Sequence, residues 1–395
     1  DQRRRSVSTG TECNVMDKKY DLVVYGATGF TGQLVCAYLQ QQHAAGREFI
    51  WAMAGRSLEK LEALRTEIGS PDIPLVVSDS NDAASLDRLT SSTRLVISTV
   101  GPYQLYGSAL LASCANSGTD YVDLCGEPLW MREMIDLHED AAKASGARIL
   151  FSCGFDSIPS ELGVWLCQNE AMKVFGKPTP RIRGRMRKFI GGPSGGSVAS
   201  GMAMMKLAND DPEKAAMLAD PFALTPGFQG PDHPPYDVVE DEPGLGMVGP
   251  FMLGPTDMKN VHRSNFLMGH RYGKDFVYDE KLVNPPPPPS QPPSLDSLPK
   301  PGEGPSGDVM ENGCFELLLI GEDASGKNVS VIVEGQDEPG YRTTSKLISE
   351  TALALLRAQN TPPGVWTPIA ALREDLASKI FEHAGITART VTGAF

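Results

Sequence analysis

The chain has few basic residues, scattered cysteines and no long apolar run. Its 36 Lys and Arg are outnumbered by 49 Asp and Glu, which gives a formal net charge of −13 at pH 7. Because phosphate contacts need concentrated basic side chains, this balance argues against a general nucleic-acid binder. No apolar run reaches the ~18 residues of a membrane-spanning helix. With no apolar secretory segment either, the sequence predicts a cytoplasmic protein.

Cysteine and histidine are also sparsely placed. The seven cysteines contain no C-x-x-C pair, and an odd, dispersed set is typical of a reducing compartment. The six histidines show no metal-ligand spacing, so we predict no metal site. At 395 residues, the chain is long enough for two domains with substantial cores.

The clearest motif is a glycine-rich turn between an apolar segment and a predicted helix, and it reads Gly26-Ala-Thr28-Gly29-Phe30-Thr31-Gly32. Glycines at these places let the backbone turn tightly, approach a pyrophosphate and pack the helix against the strand. The free N–H groups at the start of the helix then meet the phosphates. The motif predicts a dinucleotide-binding turn; a purely structural strand-to-helix turn is the alternative.

The end of the second predicted strand, Ala54-Gly55-Arg56-Ser57, indicates which dinucleotide binds. NAD-specific folds have a carboxylate here for the ribose 2′-hydroxyl, and this sequence has none. Arg56 and Ser57, with Lys60 one helical turn later, are donors suited to a 2′-phosphate. We therefore predict NADP(H). In the alternative interpretation Arg56 is solvated and Ser57 caps the next helix, which is compatible with phosphate binding.

Apolar strands alternate with helices from Tyr20 to Cys153, and strands that are apolar throughout are typical of a parallel sheet covered on both faces. The fold class predicted is α/β, a Rossmann-like doubly wound parallel sheet. We assign residues 19–175 and 340–395 to this discontinuous NADP-binding domain. Residues 1–18 are predicted to be a disordered leader.

Residues 176–339 are predicted to form an α+β second domain with an open antiparallel sheet. Its expected strands are 181–189, 259–267, 276–283, 314–321 and 329–334, with a helix around 198–207. Ten of the 22 residues in 284–305 are proline, which predicts an extended loop that lies away from the nucleotide motifs.

Ligands of parallel sheets bind beyond the carboxyl ends of the strands. That rule places Asp79 and Ser80 beside the adenine, and the loop Val100-Gly101-Pro102 beside the nicotinamide. Tyr103 follows this loop and would form a wall of the site or donate a proton; packing is the alternative. Asp156 and Ser157 begin a helix at the same edge, where they either cap the helix or contact the substrate or nicotinamide.

Several motifs together resemble the saccharopine dehydrogenase-like oxidoreductases, and in particular their trans-acting enoyl reductase branch. They are GATGFTG (26–32), AGR (54–56), VGPY (100–103), YVDLCGE (121–127), GFDSIPSELG (154–163), GPSGGSVAS (192–200), PGY (339–341) and GVWTP (364–368). The resemblance implies an NADP-binding Rossmann domain followed by a substrate domain. Glu161, where the family has aspartate, and the proline-rich insertion depart from it.

The first functional hypothesis is reduction of an unsaturated acyl thioester of lipid or polyketide assembly. An apolar tunnel would come from residues 245–255 and from Met202, Met204 and Met205, for which ordinary core packing is the alternative. Arg181, Arg183, Arg185 and Arg187 alternate along one strand. This basic stripe would dock an acyl carrier protein or a CoA phosphate, unless it is simply a solvated face.

Two other hypotheses stay open. One is a saccharopine-type amino-acid dehydrogenase, although few arginines lie in the predicted site loops. The other is a non-catalytic nucleotide-binding scaffold at a membrane or lipid droplet surface, as in some relatives. A homodimer is compatible with either. The Tyr-x-x-x-Lys pair of short-chain dehydrogenases is absent, because no tyrosine is followed by lysine four residues later.

Overall fold

The computed structural model describes residues 18–287, 298–300 and 302–391. The predicted leader therefore lies outside the described residues except for Lys18, and so does half of the proline-rich range 284–305. The described chain forms two sheets, each with its own set of helices, which meet along one long interface.

The first sheet is parallel throughout, in the order β13-β6-β5-β4-β1-β2-β3. Its strands are β1 (Tyr20–Tyr25), β2 (Trp51–Gly55), β3 (Leu75–Val77), β4 (Thr93–Ser98), β5 (Asp120–Asp123), β6 (Arg148–Leu150) and β13 (Gly364–Trp366). Leu22, Val23 and Val24 in the central strand are fully buried, because helices cover both faces of the sheet. This sheet and its helices are called the parallel-sheet lobe below, and they confirm the predicted Rossmann-like fold.

Nine helices of the described chain are grouped with this sheet, although the helix over Ile158–Phe175 packs chiefly on strands of the second sheet. They are α1 (Phe30–Ala44), α2 (Leu58–Glu67), α3 (Ala83–Ser92), α4 (Tyr103–Tyr106), α5 (Ser108–Ser117), α6 (Pro128–Ser145), α7 (Ile158–Phe175), α12 (Thr344–Arg357) and α13 (Pro368–His383). Late in the sequence, α12 returns to pack on α1 and β4. The buried Glu350 of α12 fixes this contact by accepting hydrogen bonds from Tyr38 and from Arg47, at 2.7 and 2.5 Å.

The second sheet has the order β14-β12-β11-β7-β10-β9-β8. Its strands are β7 (Arg181–Ile190), β8 (Glu240–Glu242), β9 (Gly246–Pro250), β10 (Val277–Val283), β11 (Cys314–Glu322), β12 (Asn328–Gly335) and β14 (Ile386–Val391). Its helices are α8 (Gly195–Asp210), α9 (Pro212–Ala219), α10 (Gly254–Leu267) and the short α11 (Gly307–Asn312). These elements are called the mixed-sheet lobe, because β7 and β10 run parallel where an antiparallel sheet was predicted. The long crossover through α8, α9 and α10 makes the parallel pairing feasible.

Two sequence-based assignments in this lobe are wrong. The strand predicted over 259–267 lies within the helix α10, which has Pro255 in its first turn, where proline is favoured. Every residue from Met258 to Asn265 is buried, so no helical periodicity was visible in the sequence. Residues 386–391, which we assigned to the NADP-binding domain, pair with β12 as the edge strand of the mixed sheet.

Candidate functional site

The glycine-rich turn has the geometry of a phosphate cradle. Gly26 has φ +87°, and a Cβ there would lie 2.5 Å from Val100 Cγ2 and 2.8 Å from Thr99 Oγ1. A Cβ on Gly32 would clash with the carbonyl oxygen of Gly26. Gly29 caps α1 without a side-chain hydrogen bond, so the leading N–H groups of the helix are left for a ligand. A pyrophosphate fits this cradle, because the backbone N–H groups at the start of α1 have no side-chain cap and can bind it.

The other turn residues hold the cradle in place. The carbonyl oxygen of Thr28 accepts a hydrogen bond from Gln33 Nε2 at 3.0 Å. Thr99 Oγ1 donates to the carbonyl oxygens of Tyr25 and Gly26, both at 3.1 Å, and so fastens the turn to the end of β4. Thr31 faces the cavity described below. The turn therefore connects directly with the rest of the candidate site.

The residues predicted for the 2′-phosphate follow β2 at the same edge of the sheet. Arg56 and Lys60 are exposed, and Ser57 Oγ accepts a hydrogen bond from the Lys60 backbone N–H at 3.3 Å. Ser57 is therefore the N-cap of α2, as the alternative interpretation expected. Since the exposed Arg56 has room to bind a phosphate, the two interpretations coexist.

Tyr25, which the sequence analysis did not identify, connects β1 with the adenine side of the site. Burial raises the pKa of its hydroxyl, and Ser80, Asp79 and Arg56 are the neighbours that act on it electrostatically. The only sequence signal for Tyr25 was its place as the last residue of β1.

A cavity of about 380 Å³ lies where the two lobes meet. The parallel-sheet lobe contributes Thr31 from the start of α1 and Gly101, Glu127 and Asp156 from loops. The mixed-sheet side contributes hydroxyl and apolar groups that include Ser197, Met204 and Leu253. Among its described lining residues there is no lysine, arginine or histidine. The cavity therefore suits a neutral, partly apolar ligand rather than a polycarboxylate.

The loop after β4 borders this cavity, but its tyrosine has a structural role. Gly101 is exposed and lines the cavity, whereas Pro102 is buried. The hydroxyl of the buried Tyr103 donates to the carbonyl oxygen of Ser98 at 3.0 Å and accepts from the Leu124 N–H at 3.1 Å. The proton of Tyr103 is therefore engaged, so its ring is retained as a wall of the cavity but its hydroxyl is not retained as a proton donor.

Asp156 and Ser157 point in different directions. Asp156 lines the cavity, and burial raises the pKa of its carboxyl to about 6. Gly126 lies against it, since a Cβ there would be 2.8 Å from Asp156 Oδ2. The buried Ser157 instead donates to Glu161 Oε1 at 2.7 Å inside the protein. We retain Asp156 as a site residue and do not retain Ser157, because its hydroxyl serves the core.

Glu127 is a functional candidate that the sequence analysis missed. Its buried carboxylate accepts the backbone N–H groups of Tyr103 and Gln104, both at 2.9 Å. It also accepts the hydroxyl of Ser200 in α8 at 2.7 Å. The available signal was an acidic residue just after β5, at the carboxyl edge of the sheet.

Tyr341 is the second missed residue, and it lines the cavity from the turn before α12. Its hydroxyl accepts the backbone N–H of Ser194 at 2.5 Å and lies 2.8 Å from Ser197 Oγ. Its ring packs edge-on against Phe30, with centroids 5.2 Å apart. The PGY motif was visible in the sequence, but nothing there placed it beside the glycine-rich turn.

The arginine stripe of β7 is not a free basic surface. The side chain of Arg185 is fully buried and contacts Asp279 Oδ2 at 2.7 Å and Glu242 Oε1 at 2.5 Å. Arg183 also contacts Glu242, at 2.8 Å. Both proposed interpretations of the stripe are thus wrong for its central residues, because acidic side chains of neighbouring strands neutralise them.

The end of the proline-rich range lies beside the nucleotide motif, contrary to the prediction. A Cβ on Gly304 would clash with the ring of Phe30, so the backbone at 304 packs directly on α1. The carbonyl oxygen of Glu303 accepts the N–H of Gly195 at 3.0 Å. Residues 302–305 therefore join α8 to the glycine-rich turn.

The described residues contain neither a cluster suited to a metal ion nor a membrane-spanning helix. Within 18–287, 298–300 and 302–391, no group of three or more His, Cys, Asp or Glu side chains is arranged to hold a metal ion. None of the helices in these same ranges has the length and apolar character to cross a bilayer.

Comparisons with known proteins agree with this geometry. Residues 22–150 match the family model described as saccharopine dehydrogenase NADP binding domain. The described fold is similar to that of saccharopine dehydrogenase (L-Glu forming) from Saccharomyces cerevisiae, with a TM-score of 0.56 and 13% identity over 94% of this chain and 100% of that chain. The fold and the glycine-rich turn thus define an NADP-dependent oxidoreductase of the saccharopine dehydrogenase-like class.

Relatives narrow the class. The chain is 33% identical to a Mycobacterium tuberculosis protein assigned to the trans-acting enoyl reductases, over 94% of this chain and 98% of the relative. It is 32% identical to the trans-acting enoyl reductase of Mycobacterium ulcerans, again over 94% and 98%. The chain belongs to this trans-acting enoyl reductase family.

Proposed function

We propose that the protein reduces the carbon–carbon double bond of an unsaturated acyl thioester with NADPH. The observation that carries this proposal is the cavity at the lobe junction, which combines apolar and hydroxyl groups with the carboxyl of Asp156 and, among its described lining residues, no basic side chain. The names of the relatives support the same reaction.

The coenzyme would lie along the carboxyl edge of the parallel sheet. We assign its pyrophosphate to the turn formed by Gly26, Thr28, Gly29, Phe30, Thr31 and Gly32. We assign its 2′-phosphate to Arg56, Ser57 and Lys60, its adenine to Asp79 and Ser80, and its nicotinamide to Val100, Gly101 and Pro102. When bound, NADPH supplies a hydride for the β-carbon of the substrate.

Asp156 would supply the proton. Reduction at the β-carbon leaves negative charge on the α-carbon and the thioester oxygen, and the α-carbon must then be protonated. Asp156 lines the cavity, and its raised pKa of about 6 leaves part of the population protonated near neutral pH. We therefore propose Asp156 as the general acid.

An amino-acid dehydrogenase is the second candidate, and the cavity disfavours it. Substrates of the saccharopine type carry several carboxylates, which need converging cationic groups. Arg183 and Arg185 pair with carboxylates in the mixed sheet, and neither lines the cavity.

The identity of the acyl carrier is a further part of the proposal. We propose that the acyl chain is carried as a thioester of CoA or of an acyl carrier protein. We also retain two further proposals, a homodimer and peripheral contact of the protein with a membrane or lipid droplet. Exposed apolar side chains support the last of these: Met252 lines the cavity and is 74% exposed, and Met202 and Met205 of α8, which are not among the lining residues, are 51% and 67% exposed.

The test is a parallel screen for NADPH oxidation. One arm contains trans-2-enoyl-CoA thioesters of increasing chain length, and the other contains keto-acid and amine mixtures, with products identified by mass spectrometry. Saturated thioester in the first arm is the expected result. Turnover only in the second arm would assign the amino-acid dehydrogenase reaction, and NADPH binding without turnover in either would assign the scaffold.

A further inference from the structure

Tyr341 and Ser197 form a hydroxyl pair that faces the same cavity as Asp156. The phenol oxygen of Tyr341 already accepts the N–H of Ser194 at 2.5 Å, and Ser197 Oγ lies 2.8 Å away. A phenol has one proton, and a serine hydroxyl rotates to donate or accept. When Ser197 donates to Tyr341, the phenol O–H can point toward the cavity and donate a hydrogen bond there.

Tyr341 is held rigidly where it stands. The carboxylate of the buried Glu338 accepts the backbone N–H groups of Gly340 and Tyr341 at 2.8 and 2.7 Å. Phe30 supports the ring from the side of the glycine-rich turn, and Tyr341 itself is only 6% exposed. Such a donor is pre-organised, so it needs little rearrangement when charge develops in front of it.

Asp156 and Tyr341 both line this cavity. The proposed reaction needs two donors side by side, because the α-carbon and the carbonyl oxygen of a thioester flank the same carbon atom. A carboxyl and a phenol in one cavity satisfy this requirement.

We propose that the Tyr341 hydroxyl, polarised by Ser194 N–H and Ser197 Oγ, donates a hydrogen bond to the thioester oxygen of the substrate and stabilises its enolate. This inference rests on the proposed function, and it adds the group that binds the developing oxyanion. Tyr341 makes no covalent bond and keeps its proton, so Asp156 remains the only proton source.

The kinetic test uses a variant that lacks only the hydroxyl oxygen of Tyr341. Tyr341→Phe keeps the ring on Phe30, and we expect kcat for enoyl thioesters to fall about 100-fold, the usual loss for one oxyanion donor. The dissociation constant of NADPH, measured by fluorescence titration, should stay at the wild-type value, whereas the melting temperature should fall slightly, because the buried Ser194 N–H loses its acceptor. Ser197→Ala should give a smaller loss, which Ser197→Thr should rescue. The matched control is Tyr106→Phe, a 43% exposed tyrosine outside the cavity lining, which should behave as wild type.

A second measurement does not depend on turnover. A β-ketoacyl thioester forms an enolate that absorbs in the ultraviolet, and the protein with NADP⁺ should increase the enolate fraction by about tenfold through its oxyanion donors. Tyr341→Phe should abolish this increase. An unchanged enolate fraction and unchanged kcat in Tyr341→Phe would overturn the inference, and so would a loss confined to NADPH affinity or stability. If the wild type reduces no enoyl thioester yet stabilises the enolate through Tyr341, the proposed reaction fails while the oxyanion role stands.

Discussion

The Glu127 carboxylate of the parallel-sheet lobe accepts a hydrogen bond of 2.7 Å from the Ser200 hydroxyl in α8 of the mixed-sheet lobe. The same carboxylate holds two backbone N–H groups at the start of α4. One buried side chain therefore fixes both a wall of the cavity and the position of the helix facing it. NADPH and substrate are proposed to bind between the start of α4 and the helix α8. The distance between these two helices therefore depends on Glu127.

Replacing Glu127 by alanine should loosen this junction. The change removes three hydrogen bonds to a charged group and leaves buried donors unsatisfied, at a cost of about 2–4 kcal/mol in the free energy of unfolding. Urea denaturation followed by circular dichroism would measure it. Glu133→Ala, at an exposed position of α6, is the control, with an effect within about 0.5 kcal/mol. Equal free energies of unfolding for the two variants would show that the hydrogen bonds of Glu127 do not stabilise the fold.

The buried arginine of β7 makes a second prediction about stability. Arg185→Ala removes the buried cation that pairs with both Glu242 and Asp279, which keep only their outer partners Arg183 and Arg181, and we expect a loss of about 3–5 kcal/mol. Arg187 lies two residues along the same strand, is 40% exposed and pairs with Glu316 at 3.1 Å. Its replacement by alanine should cost less than about 1 kcal/mol. Similar losses for both, measured by thermal denaturation, would contradict the assignment of Arg185 as a buried ion-pair residue.

The parallel sheet could be predicted from the sequence because its signals are local. Apolar strands such as Leu22–Val24 alternate with helices, and the glycines at 26, 29 and 32 mark the turn. The helix α10 could not be predicted from the sequence. Its polar residues Asp257 and Arg263 are as buried as its apolar residues, so the sequence shows no alternation between a buried and an exposed face.

The site shows the same division between local and long-range information. Thr31 and Asp156 followed from the rule for parallel sheets, and both line the cavity. Tyr341 is 144 residues from Ser197, and no sequence pattern indicates that the two hydroxyls meet. The pairing of Arg185 with Glu242 is also invisible in the sequence, where the alternating arginines predict an exposed basic strand.

Arg56 tests the preference for NADP(H). Arg56→Glu replaces an exposed cation at the end of β2 with an anion, which should repel the 2′-phosphate and leave the 2′-hydroxyl of NADH tolerated. We expect NADPH affinity to fall about 100-fold, equivalent to about 2.7 kcal/mol, with little change for NADH. Arg88→Glu, at a side chain 70% exposed on α3, controls for net charge. Calorimetric titration that finds equal losses for both coenzymes would remove Arg56 from the 2′-phosphate site.

The proton donor can be identified from the pH dependence of the rate. Burial raises the pKa of Asp156 to about 6, and the proposed role requires the protonated carboxyl. As pH rises through 6 the carboxyl loses its proton, so kcat/KM should be constant below about pH 5 and fall about tenfold per unit above pH 7. Asp156→Asn should lower the rate by about 100- to 1,000-fold and abolish this slope, because the amide cannot supply a proton. Asp140→Asn, at an exposed position of α6, should retain the wild-type profile. A profile with the same slope in Asp156→Asn would mean that another group protonates the substrate, even if the rate were reduced.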